Sequence, residues 1–206
     1  MNDKRKKEAD FGYKKVNPKE KPDLVKGVFD SVASKYDLMN DLMSLGIHRL
    51  WKKATVQMSN LKANGSVLDV AGGTGDLAIL FSEIVGNQGE VFLTDINEKM
   101  LEIGRDRVLD SGLLNVKSLV ADAEDLPFPD NSFDCISIAF GIRNVTNKDK
   151  ALEEFHRCLK PKGGCWSWSF PNLNPIYYLI YTIFIHLISY PIWANGLQEM
   201  PIVTSI

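Results

Sequence analysis

The chain has 206 residues, a formal net charge of −2, 45% hydrophobic residues and 24% charged ones. That composition excludes a disordered or fibrous chain and suits one globular domain with an appendage, and the near-neutral charge gives no case for nucleic-acid binding. Three cysteines, Cys135, Cys158 and Cys165, show neither a metal-ligand spacing nor an evident disulfide set, so reduced thiols in a cytoplasm are expected.

Residues 1–24 are polar and lysine-rich, with Pro18 and Pro22, and read as a mobile basic arm carrying one apolar island, Phe11-Gly12-Tyr13. The charged run from Lys4 to Asp10 lacks the apolar core of a secretory signal. From Leu24 to Met58 the pattern is helical, because Val25, Val28, Phe29, Val32 and Tyr36 recur at spacings of three and four. Gly46 is expected to break this helix and His48 to restart it. Polar groups with an intermittent aromatic suit a helical lid over a ligand, placed at residues 25–60. The alternative is a solvated face with Tyr36 and Trp51 in the core.

The chain is organised around Val67-Leu68-Asp69-Val70-Ala71-Gly72-Gly73-Thr74-Gly75-Asp76-Leu77-Ala78. Apolar, β-friendly residues give way to glycines, and a helical pattern starts at Asp76, so strand, tight turn and helix follow one another. Glycines let the backbone turn sharply and let a ligand approach with no Cβ in the way, and the helix N-terminus offers N–H groups. Two ligand classes use such a loop. A dinucleotide is one, since Gly73 to Ala78 fits G-x-G-x-x-A; S-adenosylmethionine is the other. Asp69 and Asp76 bracket the loop, and each would repel a pyrophosphate by roughly 4 kcal/mol at 4 Å for an effective dielectric near 20. The sulfonium and ammonium of S-adenosylmethionine would instead be attracted. Glu90 to Asp95 reads as a second strand ending in an acid about 20 residues past the loop, where a ribose-binding carboxylate belongs.

A helix is expected from Asn97, stopped at Gly112; a third strand over Val116–Val120, closing on Ala121-Asp122-Ala123; and a fourth over Phe133–Ala139, followed by Phe140 to Val145. Lys148 to Leu159 reads as a helix that Lys160 to Gly164 turns into the next strand. Strands alternating with helices predict an α/β, Rossmann-like core at residues 61–164, a parallel sheet flanked by helices, with its ligand across the carboxyl ends of the strands. Asp69, Asp95, Asp122 and Phe140 to Asn144 all fall at or near such ends.

These residues resemble the class I methyltransferases of the ubiquinone/menaquinone biosynthesis C-methyltransferase family (UbiE/COQ5 type). The resemblance spans roughly residues 9–164. It rests on Phe29-Asp30-Ser31-Val32-Ala33, Tyr36 to Asp41, Ser44 to Arg49, Ala71 to Asp76 and Phe140 to Val145. It implies S-adenosylmethionine as methyl donor, with Thr74, Asp95, Asp122 and Ala123 as cofactor contacts beside Asp69, Gly72, Gly73 and Gly75 of the loop, and a polyprenylated quinol ring as acceptor. The quinol would be a benzoquinol or a naphthoquinol, reached by peripheral association of a cytoplasmic protein with the inner face of the membrane. Where the family commonly has a serine before its Phe-Gly-Ile/Leu-Arg-Asn run, this chain has Ala139, so a hydroxyl contact is lost. Carbon methylation requires the ring in line with the methyl group and a more phenolate-like quinol. Arg143 would meet the developing oxyanion, while Asp122 or His48, with Tyr36, would take a proton directly or through water.

After Gly164 the composition changes. Cys165 to Ile206 has no Lys or Arg, one acid (Glu199) and three of the four tryptophans. Leu173 to Trp193 is apolar, but Asn174, Pro175, His186 and Pro191 interrupt it and no basic flank orients it as a membrane span. The better reading is a shifted reading frame. With permitted synonymous codons, Cys165 to Phe170 read one nucleotide earlier gives VLVLEF, a strand like that of the resembling family, and Ile192 to Ile206 read with the same offset gives HMGKWVARNADSYQY. Residues 165–206 are therefore expected to be out-of-frame translation, with the closing strands of the fold missing or aberrant and activity impaired.

Overall fold

A computed structural model describes residues 8–11, 14–44 and 47–168, and for Asp10, Met39, Met43, Ser44, Ile47, His48, Trp51, Thr55 and Trp168 the backbone alone. A short antiparallel hairpin, β1 (Ala9–Phe11) and β2 (Lys14–Val16), precedes three helices, α1 (Lys21–Val32), α2 (Tyr36–Ser44) and α3 (Ile47–Met58), with a 3-10 turn at Ala33–Lys35. The alternating core follows: β3 (Ser66–Val70), α4 (Asp76–Val85), β4 (Glu90–Asp95), α5 (Glu98–Asp110), β5 (Val116–Val120), β6 (Phe133–Ala139), α6 (Lys148–Cys158) and β7 (Leu159–Trp168). The last five strands pair parallel in the order β5-β4-β3-β6-β7.

The central strand is apolar on both faces because helices cover both. Val67, Val91, Leu93 and Cys135 face a layer built from Leu77, Phe81 and Val85 of α4 with Leu101 and Val108 of α5. Their neighbours Leu68, Val70, Ile136 and Ile138 face Ala151, Phe155 and Cys158 of α6. Phe92, Phe128 and Phe133 meet edge to face on this second side, with centroids 5.0–5.7 Å apart. Helix starts follow local chemistry: the side chains of Asn97 and Asn147 accept from the N–H groups of Met100 and Lys150. On the N-terminal side, α3 packs on α4, while α1 and the 3-10 turn pack on α5.

The expected turn at Lys160–Gly164 lies inside β7. Phe133 pairs with Leu159 and Cys135 with Gly164, so the intervening residues bulge out, with Lys162 at φ 72°. The Lys160 ammonium fastens the bulge to Asp134 and the Ser66 hydroxyl. β7 is the edge of the described sheet. Trp166 packs against the first core layer with its indole N–H buried and unpaired, whereas Ser167 stays exposed and needs no partner inside the sheet. No helix among the described residues is long and apolar enough to cross a membrane; Leu173–Trp193 lies outside them.

Candidate active site

A cavity opens over the carboxyl ends of the strands, under α1 and the start of α2. Its floor is Val70, Ala71 and Gly73 after β3; one wall is Asp95, Ile96 and Met100 after β4, with Ala121, Asp122 and Ala123 after β5. The opposite wall is Ala139 to Gly141 and Arg143 to Thr146 after β6, and the roof is Pro22, Val25, Phe29 and Tyr36. Two non-glycine residues adopt left-handed conformations at the two central strand tips, Ala71 (φ 51°) and Phe140 (φ 61°). Such strain persists where surrounding structure imposes it, often at functional sites. The two tips touch: a Cβ on Gly141 would stand 2.5 Å from the Ala71 Cβ, so a side chain there would force the loops apart.

The glycine loop is satisfied from within. The N–H of Gly72 bonds to Thr94 O, that of Gly73 to an Asp95 carboxylate oxygen at 2.9 Å, and that of Gly75 to Gly72 O. These three donors are therefore spent, and the loop does not offer them to a pyrophosphate. Asp95, at the end of β4, also accepts from Asn97 N at 2.8 Å. Burial raises its pKa, and the N–H groups of Asn97 and Gly73 oppose the rise. Each of its oxygens has remaining lone-pair capacity toward the cavity.

The two acids that bracket the loop lie outside the cavity lining. Asp69 is fully buried behind the cavity, with Oδ1 accepting from the Ser137 hydroxyl at 2.7 Å and Oδ2 without a partner. Burial pushes its pKa up to about 7, against the Ser137 hydrogen bond and the more distant Lys52. Asp76 is pushed up by burial, but Lys52 at 2.6 Å and Arg107 at 2.6 Å hold it below the usual carboxylate range. One carboxylate is partly protonated near neutral pH and the other is neutralised by two cations, so the repulsion argument against a dinucleotide loses its force. The occupied N–H groups of the loop replace it.

Of the residues singled out in the sequence, Gly73, Asp95, Asp122, Ala123, Tyr36 and Arg143 line the cavity. Asp122 also caps its own turn by accepting from Glu124 N at 2.9 Å. Asp69, Gly72, Thr74 and Gly75 lie beneath or behind the lining. Gly72 is needed for close approach, since a Cβ there would stand 2.4 Å from Leu93 Cδ1 and 2.6 Å from Asp69 Oδ2. Thr74, 3% exposed, donates its hydroxyl to Asp37 of α2 at 2.9 Å, so it anchors the helical layer to the loop. The side chain of His48 lies outside the described residues. Arg143 is exposed at the rim, and Tyr36 packs against Phe29 with centroids 5.9 Å apart.

Sequence reading missed the polar frame around the cavity. Arg107 joins three partners, Asp37 at 3.1 Å, Asp76 and the Thr74 carbonyl at 2.8 Å. A basic residue in the last turn of a helix ordinarily reads as a response to the helix dipole. Ser137 was the more legible signal, a polar residue at a buried position of an apolar strand.

The model of the ubiE/COQ5 methyltransferase family matches residues 15–192, which runs past Gly164 into the apolar tail. The chain is 57% identical over 164 residues to the ubiquinone/menaquinone biosynthesis C-methyltransferase UbiE of Marinomonas sp., covering 79% of this chain and 65% of that protein. It is 56% identical over 176 residues to the protein of the same name from Hahella chejuensis, covering 84% and 71%. The chain thus spans about two thirds of the length of such curated relatives. Among solved structures, a SAM-dependent methyltransferase from Aquifex aeolicus matches with a TM-score of 0.59 at 28% identity, over 78% of this chain and 86% of that one. The [4+2]-cyclase SpnF matches as well, with a TM-score of 0.53 at 26% identity over 57% and 43%, so the fold alone does not specify a reaction. With a family model that covers most of its length and relatives more than half identical to it, this chain belongs to the ubiE/COQ5 methyltransferase family.

Proposed function

We propose that this chain binds S-adenosylmethionine and carries the catalytic core for C-methylation of a polyprenylated quinol ring. The observation that carries the reading is the loop from Ala71 to Gly75, in which the N–H groups of Gly72, Gly73 and Gly75 are already bonded and so not offered to a pyrophosphate, with Asp95 at its lip and a second polar wall facing it. The bound cofactor supplies an electrophilic methyl group. Asp95 accepts from the ribose hydroxyls, and Asp122 with Ala123 takes the adenine side. Gly73 lets the cofactor lie on the backbone: a Cβ there would point toward Met100 Cε at 3.1 Å. Phe29 and Tyr36 from the roof and Phe140 from the far wall offer ring faces against which an aromatic acceptor stacks. Arg143 stands where its guanidinium meets charge developing on the quinol oxygen.

A polyprenyl chain places the acceptor in a bilayer, so the protein works as a peripheral visitor to the inner face of the membrane. Leu38 and Leu42, one turn apart on α2, are 60% and 69% exposed and form an apolar strip in the layer that roofs the cavity. The test is a methyl-transfer assay with S-adenosylmethionine and short-chain demethylated benzoquinol and naphthoquinol acceptors, read by mass. Binding of S-adenosylhomocysteine but not NAD is expected. In a frame-restored, full-length version Arg143→Ala should lower the rate far more than cofactor affinity; equal losses in both would assign Arg143 a structural role. A chain that binds the cofactor and transfers nothing would be a non-catalytic remnant.

We also propose that residues 165–206 are out-of-frame translation. The support is the loss of every basic residue at one point, the common one-nucleotide offset at both ends, and the buried indole N–H of Trp166 with no acceptor. The family match continuing to residue 192 weighs against a break at Gly164. The nucleotide sequence decides: codons that do not read VLVLEF in the neighbouring frame would end the proposal.

A further inference from the structure

Lys21 is buried, with 3% of its surface exposed, although it stands at the first position of α1. Both facts are unfavourable for an ammonium: burial strips its hydration, and the N-terminus of a helix is the positive end of its dipole. What the side chain does there is specific. Its Nζ donates to the carbonyl of Val145 at 2.8 Å and to that of Arg143 at 3.2 Å, across 124 and 122 residues of chain.

Those carbonyls belong to the far wall of the cavity. The segment leaves β6 through the left-handed Phe140 and turns at Gly141, whose carbonyl accepts from Asn144 N at 2.9 Å. Beyond the turn, one carboxylate oxygen of Glu124 accepts from Thr146 N at 2.9 Å and Asn147 N at 2.7 Å. The loop's N–H groups are thus gathered by an acid and its carbonyls by a cation. Arg143 is itself held by the cation through its carbonyl, and it lines the cavity with an exposed side chain.

We propose that Lys21 is a positioning residue for the acceptor side of the cavity: by holding the carbonyls of Arg143 and Val145, it fixes the direction in which the Arg143 guanidinium enters. This rests on the acceptor role given to Arg143 above. The cofactor side is held by other residues, Asp95 and the glycine loop, so loss of Lys21 acts on acceptor chemistry and leaves cofactor binding alone.

The test uses the full chain. In Lys21→Met, amide hydrogen exchange at Asn144, Thr146 and Asn147 should rise by about 10-fold or more, with the exchange of β3 and β4 unchanged. Affinity for S-adenosylhomocysteine should stay within about 2-fold. The turnover number should fall by about 10-fold, and combining Lys21→Met with Arg143→Ala should cost little more than Arg143→Ala alone, because both remove one oriented group. Lys21→Arg, which keeps a cation and two donors, should restore most of the rate; it also serves if Lys21→Met folds poorly. Losses that multiply in the double variant, a cofactor affinity that falls in step with turnover, or unchanged exchange in the 141–147 loop would each overturn the proposal. A chain that transfers no methyl group at all would sink the proposed reaction instead, and the exchange data would still decide what Lys21 holds.

Discussion

Replacing Asp69 by Asn should change how stability depends on pH, and by an amount the structure sets. Asp69 has no exposed surface, one oxygen on the Ser137 hydroxyl and the other on nothing, and its pKa is pushed from an ordinary 3.8 up to about 7 by burial. Between about pH 4 and 7 the folded chain therefore keeps a proton that the unfolded chain has released, so stability falls as pH rises through this window and levels off above it. The whole fall is on the order of 4 kcal/mol. Asn cannot ionise, and its amide oxygen retains the Ser137 bond, but its NH2 group inherits a place without an acceptor, at about 1–3 kcal/mol at every pH. The variant should thus gain steadily on the parent as pH rises from about 4 to 7, and should equal or exceed it near pH 8. Asp76, Asp134 and Glu154 have lowered pKa values, so their contributions vanish only below about pH 4, outside the window. Asp95 shifts in the same direction as Asp69 but is present in both proteins and cancels. Urea midpoints for both proteins from pH 4.5 to 8 give the measurement. Parallel curves would mean that Asp69 is ionised throughout and that its buried environment has been misjudged.

Gly72→Ala should lower the urea midpoint by the equivalent of about 1–3 kcal/mol, since the new methyl group would overlap Leu93 and Asp69; an unchanged midpoint would show that the loop yields freely. Asp95→Ala should weaken S-adenosylhomocysteine binding by about 1.5–3 kcal/mol, the range for hydrogen bonds to a charged group. Calorimetry on a folded variant decides, and an unchanged dissociation constant would remove Asp95 from the site.

The alternating core was legible because its signals are local. Strand runs such as Val67–Val70 and Phe133–Ala139, glycine stops and Asn starts each lie within a few residues of what they specify. The positions of Asp95 and Asp122 at strand ends followed from topology alone. What stayed hidden depends on which groups meet across the fold. Asp69 and Asp76 look alike in sequence, yet one is isolated in an apolar layer and the other lies between two cations. Thr74 looks like a loop hydroxyl for a ligand, and only the placement of α2 shows Asp37 as its partner. Lys21 belongs to a stretch whose composition reads as a solvated arm, and nothing nearby in the chain announces carbonyls more than a hundred residues away.

In the helical layer over the cavity, of the residues from 21 to 58 whose side chains are described, Lys21, Ala33 and Val56 are buried. Polar links tie the layer to the core beneath: Asp30 to Asn97, Asp37 to Thr74 and Arg107, and Lys52 to Asp76. Water replaces the more exposed of these links, such as Asp37 with Arg107, at small net cost. The layer is therefore expected to lift as one unit at a free energy well below that of global unfolding, while the sheet beneath stays shut. A cofactor held under it would leave when the layer lifts, and the frequency of lifting would set a ceiling on turnover that the chemical step could not raise. Mild urea should then hasten release of bound S-adenosylhomocysteine before the far-ultraviolet dichroism changes; release that tracks global unfolding instead would mean the roof and the sheet open together.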